Sequence, residues 1–282
     1  MRRMPRSRQI LTQLGLALVG LFVLLPVWLM TYMAFDKSII GFPTTFRLWP
    51  EELTLDVFRQ VWERPAQTLS FLQTLQNSLI VSGGAASLSV AFGAGMAYAF
   101  ARYRFPGRRA GLFSLLVGTL LPPVALMTPL YILLTGLGLR TSHFGLIIVY
   151  TAFSMPFCIW NMRAAFQAVP NELEESASLD GATPFLTFRR ITLPLALPSI
   201  AVAALIAFLI GYSEFVLGWL FVDTGQNVTL AMAVSGIMRS SGMIHWSQMS
   251  ALVILMSLPV VVVFLILHRY LIRGLLIGAV EA

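Results

Sequence analysis

The chain of 282 residues is 57% hydrophobic and only 11% charged, whereas a soluble domain has about a quarter of its residues charged. This composition excludes an ordinary soluble protein and predicts an all-α membrane protein surrounded by lipid. The net charge of +7 does not indicate nucleic-acid binding, because the basic residues form short clusters beside apolar runs, as they do at a membrane face.

Six long apolar runs predict six transmembrane helices in a single domain that covers residues 1–282. Each run is near or above the ~18 residues that a spanning helix needs. The first is too long for a signal peptide and lacks a small-residue cleavage site, so we expect it to be retained. Prolines interrupt the third and fourth runs, which neighbouring helices can tolerate. The runs are 10–35, 71–101, 110–134, 143–162, 194–222 and 250–268.

The distribution of arginine and lysine predicts that both termini are cytoplasmic, because cytoplasmic loops carry an excess of these residues. With the N-terminus inside, most of the basic residues fall on the inner face. They are Arg2, Arg3, Arg6, Arg8, Arg102, Arg104, Arg108, Arg109, Arg163, Arg189, Arg190, Arg269 and Arg273. The outer face then holds Lys37, Arg47, Arg59, Arg64, Arg140 and Arg239.

The polar segment 170–193, between the fourth and fifth runs, predicts two short helices on the cytoplasmic face. Pro170 suits a first helical position, and the acidic residues that follow complement the positive end of the helix dipole. We expect this helix to end at about Leu179, with Gly181 supplying the tight turn. Thr183 and Pro184 then start a second helix. On these grounds alone, a solvated amphipathic loop explains the segment as well as a partner-binding site does.

A motif within this segment carries a resemblance. Glu175-Ser176-Ala177, Gly181 and Ile191-Thr192-Leu193-Pro194 match the pattern E-A-A-x3-G-x9-I-x-L-P, with Ser176 as the one departure. In this motif the chain resembles the permease subunits of binding-protein-dependent ABC importers. The resemblance implies a type I importer permease fold, MetI- or MalFG-like, with a coupling helix between spans four and five.

Other segments are similar to carbohydrate permeases of the MalG type. They are Pro170-x-Glu172-Leu173, Asp180-Gly181-Ala182, Phe188 to Leu195, Ser213-Glu214, Arg269 to Leu275 and Gly278-Ala279-Val280. This similarity implies ATP-driven import of maltose, a maltooligosaccharide or another α-glucoside across a bacterial or archaeal cytoplasmic membrane. It also implies three partners: a MalF-like second permease, an ATPase dimer, and an extracytoplasmic sugar-binding protein.

The chain offers no sign of its own motor or cofactor. A P-loop needs Gly directly before its Lys, but the only lysine, Lys37, follows Asp36. ATP and Mg²⁺ are therefore expected on the partner ATPase. His143, His245 and His268 are isolated in the sequence, so no metal site is predicted. We expect a transport subunit and not an enzyme.

The resemblance implies that the segment docks on the ATPase and transmits its closure. In this reading Glu175 and Asp180 supply charge pairing or capping, Ser176 and Ala177 allow close approach, and Gly181 makes the turn. The predicted coupling residues are Glu174, Glu175, Ser176, Ala177, Leu179, Asp180, Gly181, Ala182, Ile191, Leu193 and Pro194.

Glu214 is a second candidate site, because a carboxylate inside an apolar run is costly and often functional. It lies in the fifth run with Tyr212, Ser213 and Trp219 nearby, and these side chains are predicted to line the substrate path. The alternative is that Glu214 makes a structural hydrogen bond to a helix of the partner permease. An ion-coupled secondary transporter or channel is the competing function, although such carriers usually place several carboxylates near the midplane.

Overall fold

The computed structural model describes residues 6–39, 41, 47–65, 69–223, 225–239 and 245–280. Arg2 and Arg3, and parts of the predicted outer connections 36–70 and 223–249, lie outside these ranges. Within them the chain is helical, apart from loops and an isolated antiparallel bridge between Asp36 and Leu53.

Thirteen α-helices make up the described part of the chain. The first six are α1 (Arg6–Ala34), α2 (Asp56–Glu63), α3 (Phe71–Arg102), α4 (Arg108–Leu120), α5 (Met127–Gly136) and α6 (His143–Ala168). The other seven are α7 (Asn171–Leu179), α8 (Pro184–Thr187), α9 (Leu193–Leu195), α10 (Leu197–Ser213), α11 (Val216–Phe221), α12 (Leu230–Arg239) and α13 (Trp246–Val280). 3₁₀ turns lie at Pro123–Leu126 and Gly225–Asn227, and a π-helical turn at Phe188–Thr192.

Four helices, α1, α3, α6 and α13, are each long and apolar enough to cross a membrane. Two bent pairs bring the number to six if each pair is one span. The six-span count therefore stays a prediction.

The third and fifth predicted runs are not continuous helices. In the third, 110–134, the chain bends by 100° between α4 and α5, where Pro122 and Pro123 have no N–H groups to continue the helix. The fifth run is predicted to start at residue 194, which lies in the helical stretch Pro184–Leu195. The axis turns by 78° between that stretch and α10. This run, 194–222, breaks again after Ser213, and α11 begins at Val216.

The core lies where α3 packs against α6 and α10. Small residues along α3 allow this close approach, because Ala85, Ser89, Gly93 and Ala97 are all buried. A Cβ on Gly93 would lie 2.9 Å from Cε of Met162. These small residues therefore form a packing surface, as they commonly do between membrane helices.

The connection after α1 is fastened to the helix end by the buried carboxylate of Asp36. This group accepts hydrogen bonds from the backbone N–H groups of Ser38, Glu51 and Glu52 and from the Ser38 hydroxyl, at 2.7–3.5 Å. Burial raises the pKa of Asp36, but the hydrogen bonds outweigh it, so the pKa lies below its ordinary value of 3.8. The ionised form therefore stabilises the folded protein.

Replacing Asp36 with Asn is expected to destabilise the protein by about 1–3 kcal/mol at neutral pH, because the hydrogen bonds lose their charged acceptor. Because the pKa of Asp36 is lower in the folded protein, its stabilisation is fully present above the ordinary Asp pKa. It is lost as the pH falls through the pKa that Asp36 has in the folded protein. Thermal unfolding at pH 7 and below pH 4 measures this. The control is Asp56→Asn, since the Asp56 side chain is 67% exposed; equal midpoints for the two variants at pH 7 would contradict the prediction.

Candidate functional site

The first helix of the predicted coupling segment ends in a Schellman motif at Gly181. The Ala182 N–H donates to the Ala177 carbonyl at 2.9 Å, and the Gly181 N–H donates to Ser178 at 3.1 Å. Gly181 has φ = +84°, a left-handed conformation that glycine adopts without a Cβ penalty. The predicted end at Leu179 is confirmed, while Pro170 is the N-cap and not the first helical residue.

The second half of the segment begins as predicted at Thr183 and Pro184. The Thr183 hydroxyl accepts from the Leu186 N–H at 3.4 Å, and Pro184 is the first residue of α8. The helix then widens into the π-helical turn Phe188–Thr192, which contains Arg189 and Arg190, before α9. Such wide turns are rare and frequently lie at functional sites.

Glu174 joins the segment to the end of α3. Its Oε1 accepts from Nε of Arg102 at 2.9 Å and from the Thr192 hydroxyl at 2.6 Å, and its Oε2 accepts from the Tyr98 hydroxyl at 3.2 Å. The Arg102 and Glu174 side chains are only 12% and 16% exposed. One carboxylate thus connects α7, the π-helical turn and α3.

Arg102 extends this junction to the end of α6. Its guanidinium also donates to the Val169 carbonyl at 2.7 Å and to Oδ1 of Asn171 at 2.6 Å. Glu174 therefore contacts residues of its own chain, and its part in ATPase coupling stays a prediction. Its partners Arg102, Tyr98 and Thr192 were not predicted as site residues, because the sequence does not show which distant residues meet.

Three aromatic rings hold the second half of the segment against the same helices. Tyr98 of α3, Phe166 of α6 and Phe188 of the π-helical turn lie with ring centroids 4.7–6.0 Å apart. Tilted and edge-to-face aromatic pairs at this separation stabilise packing. The second half of the segment is therefore packed directly against α3 and α6.

The opposite surface of the segment is exposed and partly apolar. Leu179 is 90% exposed, Phe185 69% and Leu173 44%. Glu175, Ser176, Asp180, Gly181 and Pro194 are exposed too, whereas Ala177, Ala182, Ile191 and Leu193 are half-buried. Apolar side chains on a rigid, solvent-facing segment are typical of a protein-binding surface.

Glu214 occupies the break between α10 and α11. Its carboxylate accepts from the backbone N–H groups of Val216, Leu217 and Gly218 at 2.8–3.2 Å. It also accepts from the hydroxyl of Tyr150 on α6 at 2.9 Å. The charge therefore satisfies the free N–H groups that begin a helix, which is a favourable position for an anion.

The other predicted path residues contact three different elements. The Tyr212 hydroxyl donates to the Met256 carbonyl of α13 at 2.9 Å, and the Ser213 hydroxyl to Leu209 in its own helix at 2.7 Å. The Trp219 indole donates to Ser235 and to the Met232 carbonyl of α12. These contacts give each side chain a structural role in this chain, and a role in lining the path stays a prediction.

Changing Glu214 to Gln is expected to lower the stability by about 1–3 kcal/mol, because every group around the carboxylate is a donor and one carboxamide oxygen cannot serve them all. Thermal unfolding of the purified protein in detergent measures the loss. Ser213→Ala is the matched control, since its hydroxyl bonds only within its own helix in the described structure. Equal midpoints for the two variants would show that the carboxylate does not hold the break.

Comparison with known proteins places the chain in a family. Residues 89–277, which include the whole coupling segment, match the family model described as "Binding-protein-dependent transport system inner membrane component". The chain belongs to this transport family. The predictions of a membrane transport component and not an enzyme are therefore confirmed, and the EAA-type segment lies inside the matched region.

Similar proteins in this transport family include two curated sugar permeases. The "Trehalose transport system permease protein SugB" of Mycobacterium tuberculosis is 31% identical over 83% of this chain and 85% of its own length. The "Maltose/maltodextrin transport system permease protein MalG" of Salmonella typhimurium is 28% identical over 98% of each chain.

A solved structure confirms the fold of this family member. A chain of a bacterial ABC transporter involved in alginate import has a TM-score of 0.74 at 21% identity, covering 96% of this chain and 99% of its own. The predicted type I importer permease fold is confirmed, although the inward or outward position of the termini stays a prediction.

Proposed function

We propose that this chain is one permease subunit of an ATP-driven sugar importer and that segment 170–193 receives the movement of a separate ATPase. The supporting observation is the two-sided construction of the segment. One side is fixed to α3 and α6 through Glu174 and Arg102, and the other exposes Leu179 and Phe185. A rigid element with a free apolar surface is suited to transmit force from a soluble partner into the membrane.

The proposed substrate class is α-glucosides, including maltose and maltooligosaccharides. Support comes from the names of the two relatives, which specify trehalose and maltose or maltodextrin. Trehalose and maltose are both built from α-linked glucose, so a common α-glucoside is the simplest substrate for this chain.

The proposed assembly contains three further components. A second, MalF-like permease completes the translocation path, an ATPase dimer binds ATP and Mg²⁺, and an extracytoplasmic protein delivers the sugar. In this assembly both termini and segment 170–193 are cytoplasmic, as the distribution of arginine supports.

The hydrogen bonds of Glu214 disfavour an ion-coupled carrier. Its carboxylate already accepts from Tyr150 and three backbone N–H groups, so little of its capacity is left for a coupling ion. Among the described residues, no group of three or more His, Cys, Asp or Glu side chains is arranged to hold a metal ion.

Two measurements test the proposal. The tagged chain, purified from its native membrane, is expected to bring with it an ATPase of the ABC type. Cells lacking the chain are expected to lose uptake of radiolabelled trehalose, maltose or maltotriose. Unchanged uptake of all three sugars would contradict the substrate class, and purification without an ATPase would contradict the coupling mechanism.

A further inference from the structure

A polar cavity lies at the end of the helix bundle opposite the coupling segment. It has a volume of about 400 Å³ and is lined by Leu69, Gln73, Gln76, Asn77 and Gln226. Gln76 is separated from Arg102, at the coupling end of α3, by about 40 Å of helix at 1.5 Å per residue. The cavity volume is within the ~300–1,000 Å³ range of ligand pockets.

Four carboxamides give this cavity an unusual supply of hydrogen-bonding groups. Gln76 and Gln226 are exposed, and their carboxamides make no hydrogen bond to another described residue. Gln73 uses its oxygen to accept from the Ser70 N–H and hydroxyl, which leaves its NH₂ group. Carboxamides can each donate and accept, so the cavity presents both kinds of group without a charged side chain in its lining.

The cavity wall is held in place by buried contacts between α3 and the loop before α12. Nδ2 of the buried Asn77 donates to the carbonyls of Gln226 and Val228 at 2.8 and 3.0 Å. The Ser78 hydroxyl accepts from the Leu230 N–H at 2.8 Å. These bonds fix the orientation of the Asn77 side chain, so this part of the wall is formed before any ligand binds.

We propose that this cavity is an entrance site for sugar, which binds one glucose unit before it passes between the permeases. Neutral groups that donate and accept match the hydroxyls of a sugar, each of which also donates and accepts, while Leu69 offers an apolar surface for the C–H groups of the ring. A charged ligand would find no counter-charge among the lining residues. The inference rests on the proposed function and places a substrate contact on this subunit, away from Glu214.

The test uses the intact protein in lipid nanodiscs and measures trehalose and maltose binding by saturation-transfer NMR. The double variant Gln76→Ala/Gln226→Ala is expected to bind sugar about tenfold more weakly, since it loses two neutral hydrogen-bonding groups. Neither side chain supports the fold, so its unfolding midpoint is expected to be unchanged. The matched control is Gln167→Ala, an exposed glutamine at the other end of the bundle, which is expected to bind sugar normally.

A parallel uptake assay separates this inference from the proposed function. With sugar uptake intact in the wild type, a raised half-saturation concentration in the double variant alone supports the entrance site. Normal uptake with no sugar signal, or with the same signal in all variants, overturns the entrance site and leaves the importer assignment standing. Weakened association with the extracytoplasmic protein without loss of sugar binding also overturns it, in favour of a protein-docking surface. If the importer assignment itself were wrong, the wild type would take up no sugar.

Discussion

Replacing Gly181 by Asp is expected to abolish transport while the protein remains inserted and folded. A Cβ at this position meets no atom within 4 Å, so the chain itself has room for the side chain. The left-handed backbone, with φ = +84°, costs a non-glycine residue about 1 kcal/mol, which is too little to unfold the protein. The larger effect is a second carboxylate beside exposed Asp180 on the surface that we propose meets the ATPase.

The control for this prediction is Gly107→Asp. Gly107 has almost the same conformation, φ = +81°, and also has open space around its Cβ, but it precedes α4 and lies outside the coupling segment. We expect Gly107→Asp to support uptake and Gly181→Asp to prevent it at equal membrane abundance. Normal sugar uptake by Gly181→Asp would refute the docking role of the turn.

Replacing Glu174 by Ala is expected to weaken both the fold and coupling. The change removes three hydrogen-bonding contacts and leaves the guanidinium of Arg102, which is 12% exposed, without its carboxylate. Loss of one partner from such a pair is expected to cost about 2–3 kcal/mol. The segment then keeps only the hydrogen bond from Arg102 to Asn171 and the ring contact between Tyr98 and Phe188 as links to α3, so we expect ATP hydrolysis to continue with much less sugar movement.

The neighbouring residue provides the comparison for this second prediction. Glu175 is exposed, so Glu175→Ala is expected to leave the free energy of unfolding within about 0.5 kcal/mol of the wild type. It is expected to weaken only the association with the ATPase. Thermal unfolding and co-purification of both variants distinguish the two roles. If the two glutamates gave the same loss of stability, the internal role of Glu174 would be wrong.

Local signals in the coupling segment were sufficient to predict where α7 ends and where α8 begins. Thr183 and Pro184 start a helix by capping chemistry, and Gly181 stops one because it tolerates positive φ, so neighbouring residues determine each feature. The long apolar runs similarly predicted α1, α3, α6 and α13, since twenty or more apolar residues have few alternatives to a spanning helix.

Features that depend on distant residues were not predictable in this way. Arg102 was interpreted only as part of a basic cluster, since its partner Glu174 is 72 residues away in the chain. Glu214 was expected within a continuous helix, because its apolar neighbours give no sign that the carboxylate receives the N–H groups of a new helix and the hydroxyl of Tyr150. The bend at Pro122 had a local signal, but the size of the bend depends on packing.

The number of residues from the turn at Gly181 through the π-helical turn Phe188–Thr192 to Pro194 determines how the following helix is rotated relative to α7. A helix advances by about 100° per residue, so inserting or deleting a single residue here would rotate everything that follows relative to α7. The buried face of α10, which includes Ala203, Ala207 and Gly211, would then be turned away from its present contacts with α3 and α6, whatever the chemistry of the inserted side chain. Natural variation in this stretch is thus expected to consist of substitutions at constant length.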